Sequence, residues 1–190
     1  MAIKHKKGSL RIIGGQWRSQ LVRFSGSHSL RPTPDAVRET LFNWLTPIVQ
    51  GATCLDLFSG SGALGFEAAS RGALRVDLVD QNQHVCQQLL RTRESLSADQ
   101  VHIHYQGALR FLADTHHRFN IVFLDPPFQS SLSTRIIKAI EQSKILHDQS
   151  LVYLEKSKKY ADPVIPRNWK IFKEKTTASI VYRLYERRHS

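Results

Sequence analysis

Residues 54–69 read CLDLFSGSGALGFEAA. The run from Cys54 to Phe58 is short and mostly apolar, as a buried strand is, and helix formers follow from Ala63 as far as Gly72. Between them Gly60, Gly62 and Gly65 match G-x-G-x-x-G. Glycines at such a strand-to-helix turn let the backbone fold back tightly and approach a ligand closely. Asp80 ends the next apolar run, where a carboxylate can accept hydrogen bonds from a ribose diol. The pattern predicts a nucleoside cofactor and leaves a nicotinamide dinucleotide and S-adenosylmethionine both open.

Asp56 separates these two. It lies within the predicted strand, just ahead of the glycines. A pyrophosphate beside a carboxylate in a low dielectric is repelled by roughly 1 to 4 kcal/mol at realistic screening. The ammonium and sulfonium of S-adenosylmethionine are attracted instead. The reading therefore favours the sulfonium cofactor and keeps a nicotinamide-dependent reductase as the rival.

Outward from this unit, strand and helix patterns alternate. RVDLVD, VHIHY, FNIVFLD and SLVYLEK read as strands, with helical patterns between them. WKIFKEKTTASIVYRLYE alternates twice, like an antiparallel pair. The expected fold is α/β and Rossmann-like: a central seven-stranded, mostly parallel sheet with helices on both faces. Ahead of it, LRIIGGQWRSQLVRF (10–24) has short apolar runs around Gly14-Gly15 and reads as a small hairpin or strand pair with basic residues on one face. RPTPDAVRETLFNWL reads as a helix starting near Pro34, with Thr33 or Asp35 as its cap. We expect residues 1–33 to be a basic hairpin extension and 34–190 the main domain.

The segment FLDPPFQ (123–129) ends the fourth strand of the series, which should neighbour the first and so face the cofactor cleft. Proline has no N–H. The Asp125 carboxylate and the Pro126 carbonyl are therefore acceptors with no nearby backbone donor to compete. Such a site suits an exocyclic amine, which has two N–H donors. An aryl amine is a poor nucleophile because its lone pair conjugates with the ring. Two acceptors gripping its hydrogens hold the nitrogen more pyramidal and aim the lone pair at the methyl donor. Phe128 offers a face for a flipped base, worth ~1 to 3 kcal/mol of stacking.

Charge points to the same kind of partner. The chain has 190 residues, is 41% hydrophobic and carries a net +11. The segment before Asp35 holds no acid and contributes +7, and residues 155–190 contribute +6, leaving −2 for the middle. A basic head and tail around a near-neutral body attract phosphate-rich partners. Arg11, Trp17, Arg18, Arg23 and Arg31 mix basic and aromatic character as a nucleic-acid grip does. Arg31 or Arg38 is an alternative partner for the cofactor carboxylate. No apolar run is long enough to span a bilayer, and the basic start lacks the apolar stretch of a signal peptide. Cys54 and Cys86 make no disulfide framework, which fits a reducing cytoplasm. The histidines have no zinc-ligand spacing, so no metal is expected.

Taken together, IIGGQWRS, RPTPDAVRETLFNWL, LDLFSGSGALGFEAASRGA and IVFLDPPF resemble the RsmD family, bacterial 16S ribosomal RNA guanine-N2 methyltransferases of the class I, S-adenosylmethionine-dependent kind. The resemblance covers almost the whole chain. It implies that the acceptor is the N2 amine of one guanine, in an assembled or late-assembly small subunit, and that the enzyme is a cytoplasmic monomer. It also implies that Asp56, Phe58, Gly60 and Gly62 line the methionine and adenosine part of the site and that Asp80, with Gln81 after it, holds the ribose. Gly107 and Ala108 would lie along the adenine, and Asp125, Pro126, Pro127 and Phe128 would hold the base. The chain departs from the family pattern at Gly107, where Asp or Asn is usual, and at Gln81-Asn82-Gln83. The alternative is an adenine-N6 methyltransferase acting on DNA or another RNA, because Asp-Pro-Pro-aromatic also serves that chemistry.

Overall fold

A computed structural model describes residues 6–26, 33–126 and 130–189. Arg31, Pro127 and Phe128 lie outside them. Two strands come first, β1 (Lys6–Arg11) and β2 (Leu21–Gly26), followed by the helix α1 (Asp35–Val49). The alternation then runs β3 (Thr53–Asp56), α2 (Ala63–Ser70), β4 (Arg75–Asp80), α3 (Gln83–Leu96), β5 (Val101–Tyr105), α4 (Ala108–Asp114), β6 (Phe119–Leu124), α5 (Ser130–Ser143) and β7 (Leu146–Ser157). The antiparallel pair β8 (Trp169–Thr176) and β9 (Ile180–Arg187) closes the chain.

The main sheet has seven strands in the order β5-β4-β3-β6-β7-β9-β8. Strands β3 to β7 are parallel, and β9 and β8 join antiparallel. The chain reverses direction of winding between β3 and β6, the place where open α/β sheets leave a crevice at the strands' carboxyl ends. The seven-stranded, mostly parallel sheet with helices on both faces is thus present as expected, and the strand ending in Asp125 does neighbour the one ending in Asp56.

Period-2 alternation sorts each central strand between two cores. Cys54, Val76, Ile121, Phe123, Leu151 and Tyr153 face the layer of α1, α2 and α3. Leu55, Val79, Val122, Leu124, Val152 and Leu154 face α4 and α5. Leu10, Ile12, Trp17 and Val22 of the amino-terminal segment belong to the first of these cores. The extension therefore folds onto the main body.

The expected strand pair is present, β1 and β2 running antiparallel, and its connection is long rather than a short turn at Gly14-Gly15. The strands sit on either side, and residues 12–20 form a loop docked on α2. Glu67 of α2, wholly buried, accepts from the backbone N–H of Ile13 (2.8 Å) and of Gly14 (2.9 Å) and from Arg71 Nε (2.8 Å). Ser70 Oγ accepts from Trp17 N–H (2.9 Å) and donates to the Gly14 carbonyl (2.6 Å). Gly15 has φ +76°, and a Cβ there would stand 1.9 Å from the Ser70 carbonyl oxygen, so only glycine allows the approach.

A further expectation changes. Neither Thr33 nor Asp35 caps α1 through its side chain. Pro34 is the cap residue, and its carbonyl accepts from the N–H groups of Val37 and Arg38. Asp35 is paired with Arg38 at 2.7 Å instead. The helix α4 ends at Asp114.

Candidate active site

The glycine loop leaves β3 at Asp56 and enters α2 through Gly62. Gly62 is left-handed (φ +77°) and is the N-cap of α2. A side chain there would meet Leu89 and Phe66 at 2.7 Å, so the turn needs glycine on both counts. Asp56 is 3% exposed, and its Oδ2 accepts from Gly65 N–H at 3.2 Å. The carboxylate thus meets an N–H in the first turn of α2, where helix amides lack internal partners. Burial still dominates: it pushes the Asp56 carboxyl up to about 7, against the lowering effect of the Gly65 hydrogen bond and with a further raise from Asp80.

Asp80 ends β4 beside the loop. Its Oδ2 accepts from Gly60 N–H (3.1 Å) and its Oδ1 from Asn82 N–H (2.8 Å). Asn82 in turn caps α3 by accepting from His84 and Val85 N–H. A strand end is thereby tied to the glycine loop on one side and to a helix start on the other. The Gly60 amide, donated to a carboxylate, is not turned toward a pyrophosphate. Gly107 follows β5 as the cap of α4, held close by Gln106 N–H donating to the Asp80 carbonyl (3.1 Å). The exposed Gln81 side chain approaches within 4.0 Å of where a Gly107 Cβ would sit. Phe58 and Ala108 are half-buried against the core on the α4–α5 face.

Asp125 follows β6 and is half-buried, and Pro126 is buried. Burial, Glu155 and Asp56 all push the Asp125 carboxyl well above the usual carboxylate range. The parity of the strands explains the grouping. Asp56, Asp125 and Glu155 fall on the same face of three adjacent strands, Asp56 ending β3, Asp125 following β6 and Glu155 lying two residues short of the end of β7. Among the described residues no cation lowers any of these three acids, and since buried unpaired acids are costly, a ligand that brings positive charge relieves that cost. The donor set therefore fits a cationic cofactor and opposes an anionic one.

The remaining predicted residues divide. Arg11, Arg18 and Arg23 are exposed on the amino-terminal segment. Trp17 is not available for stacking on RNA: it is 4% exposed, turned into the core by the Ser70 contacts of the loop. Arg38 does not reach toward a cofactor carboxylate. Its side chain is fully buried, bonded to Asp35 and to the Arg11 carbonyl (2.9 Å) and 3.7 Å from Glu67. Glu67, Ser70, Tyr153 and Glu155 were missed. The first two act across more than fifty residues of sequence, and the last two gain meaning only from the strand beside them.

The family model described as Conserved hypothetical protein 95 matches residues 10–186. The chain is 44% identical over 180 residues to Ribosomal RNA small subunit methyltransferase D of Escherichia coli (strain K12), covering 95% of this chain and 91% of that one. A solved structure of the Escherichia coli protein yhhF superposes with TM-score 0.87 at 41% identity, covering 95% of this chain and 99% of that one. An RNA methyltransferase from Salinibacter ruber, solved in complex with S-adenosyl-L-homocysteine, shares the fold at TM-score 0.65 and 14% identity, over 84% of this chain and 95% of that one.

Proposed function

The chain belongs to the RsmD family, and on that premise we propose that it transfers a methyl group from S-adenosylmethionine to the exocyclic N2 of one guanine in 16S ribosomal RNA, within an assembled or late-assembly small subunit. Methylation of ribosomal RNA is the coarse activity that family membership carries. The observation supporting the finer reading is the adjacency of β3 and β6, which brings Asp56 and the glycine loop beside Asp125-Pro126.

When bound, the cofactor supplies an electrophilic methyl group on a good leaving group. Asp56 and Asp125 contribute negative charge near the cationic centre, and Asp80 accepts from the ribose hydroxyls. Gln81, Gly107 and Ala108 border the adenine, and Phe58, Gly60 and Gly62 shape the floor. The Asp125 carboxylate and the Pro126 carbonyl grip the two amine hydrogens, and Phe128, after Pro127, stacks on the flipped base. Positioning supplies much of the barrier reduction.

Residues 1–33 act as the RNA-gripping part and 34–190 as the catalytic part, in a cytoplasmic monomer. Among the described residues no helix is long and apolar enough to cross a membrane. Exchanging Arg18 and Arg23 together for alanine is expected to weaken binding to small subunits and to reduce the slope of log affinity against log salt by about 1 to 2. An unaltered slope moves the RNA surface elsewhere.

Titration gives a second check. With Asp56 raised to about 7 and Asp125 raised as well, an incoming cation must displace protons below neutrality. Affinity for S-adenosylmethionine is therefore expected to fall as pH drops from 7 to 5, approaching ten-fold per unit for one coupled proton. S-adenosylhomocysteine, which lacks the sulfonium charge, should show a shallower fall. Calorimetry with both ligands checks this, and equal pH profiles would remove the carboxylates from the sulfonium's surroundings.

The reading itself is tested by tritiated methyl transfer to small subunits from a strain lacking the modification, followed by nucleoside digestion and mass spectrometry. N2-methylguanosine is the expected product. N6-methyladenosine, or label only on naked DNA, would replace it with the adenine alternative.

A further inference from the structure

One buried acid at the base-binding end of the sheet has no part in the transfer chemistry above. Leu124 and Leu154 are partners in the parallel register of β6 and β7, so the next residues outward, Asp125 and Glu155, emerge side by side. Both share the face of Phe123 and Tyr153, whose rings meet edge-on at 6.4 Å. Adjacent strands lie about 4.8 Å apart, a spacing over which two carboxylates can address neighbouring groups on one planar ring.

Glu155 is 6% exposed, with Tyr182 of β9 opposite it and the Tyr153 hydroxyl donating to its Oε2 at 2.8 Å. A buried glutamate with a second acid beside it is a poor device for stability, because an apolar pair of similar volume serves at least as well. Burial raises the Glu155 carboxyl above its ordinary value, and the Tyr153 bond opposes that shift by favouring the ionised, accepting form. Tyr153 itself stays a donor, since burial and Glu155 hold its phenol well above the usual range. The Tyr153 hydroxyl and the Glu155 carboxyl thus sit as a hydrogen-bonded pair beside Asp125.

Resting on the guanine reading above, we infer that Glu155 reads the Watson–Crick edge of the target base: its carboxylate accepts the guanine N1–H while Asp125 and the Pro126 carbonyl hold the adjoining N2 amine. Guanine presents two neighbouring donors on that edge. Adenine presents one donor and a lone pair at N1, which a carboxylate repels. A site built to receive an N–H rejects an analogue lacking it by large factors, up to about 10⁴ to 10⁵. Guanine choice then resides in β7, one strand away from the residues that align the amine.

The test uses small subunits reconstituted with either guanine or 2-aminopurine at the position the wild-type protein methylates. 2-Aminopurine keeps the 2-amino group and has no N1–H. We expect wild-type kcat/KM to favour guanine by about 100-fold or more. Glu155→Gln should narrow the ratio to about ten-fold or less, because the amide can donate to the bare N1, with S-adenosylhomocysteine affinity unchanged. Tyr153→Phe should narrow it in the same direction by less. Equal use of both bases by the wild-type protein, a comparison that needs no variant, would overturn the inference. So would an unchanged ratio in folded Glu155→Gln. Failure to methylate guanine-bearing subunits at all would sink the guanine reading and this inference with it, whereas methylated guanine with an unchanged ratio sinks the inference alone.

Discussion

Replacing Asp125 with alanine is expected to lower methyl transfer by about 10³-fold or more while leaving cofactor affinity within a few-fold. The magnitude is that of removing a preorganised polar contact to the reacting group. Alanine leaves the Pro126 carbonyl as a lone acceptor, so the amine keeps its conjugation and its lone pair is no longer aimed. Asp125 lies half-buried at the end of β6, near Asp56 and Glu155. Removing one of three crowded acids relieves repulsion, so the variant should be as stable as the parent or more so, and the loss should be one of turnover. Asp125→Asn keeps an acceptor oxygen and should retain more activity than alanine. Equal loss in both variants would mean that the carboxylate's work is to take a proton. Single-turnover rates on small subunits, with calorimetry of cofactor binding, separate these cases, and unchanged turnover in Asp125→Ala would remove the carboxylate from the chemistry.

Glu67→Ala should be the most destabilising single change in the amino-terminal half, by about 3 to 5 kcal/mol. Its carboxylate satisfies the Ile13 and Gly14 amides and faces the guanidiniums of Arg38 and Arg71. Alanine leaves a fully buried Arg38 with Asp35 as its remaining carboxylate and orphans two backbone donors. The loop 12–20 then loses its seat on α2, and with it the placement of Arg11, Arg18 and Arg23. Urea unfolding reads the stability, and binding to small subunits reads the displaced arginines. Glu67→Gln, which keeps one acceptor oxygen and the shape, should lie between. A change below about 1 kcal/mol in Glu67→Ala would mean that the loop is held by its apolar contacts alone.

Much of this was legible in the chain because it is local. The glycine loop, the acid that ends β4 and Asp-Pro-Pro-Phe each declare themselves within a few residues, and the strand patterns RVDLVD and VHIHY coincide with β4 and β5. Adjacency of the strands ending in Asp56 and Asp125 followed from the rules of parallel sheets. The failures are non-local. Trp17 sits between polar neighbours and reads as a surface ring, yet Gly15's left-handed turn and Ser70, fifty-three residues away, roll it into the core. Arg38 reads as an alternative partner for the cofactor carboxylate, yet it is buried beside Glu67 from another helix. Glu155 ends an apolar run like any strand-terminal charge. Its place beside Asp125 exists only in the register of β6 with β7.

The central claim is that the amine-binding acceptors stand beside the cationic centre of the cofactor. A crystal structure of this protein with S-adenosylmethionine bound tests it most directly. The account predicts the sulfonium lodged between the glycine loop and Asp125, its methyl group directed at the space bounded by the Asp125 carboxylate and the Pro126 carbonyl. A cofactor seated elsewhere, or one whose methyl group faces away from those two oxygens, would contradict it.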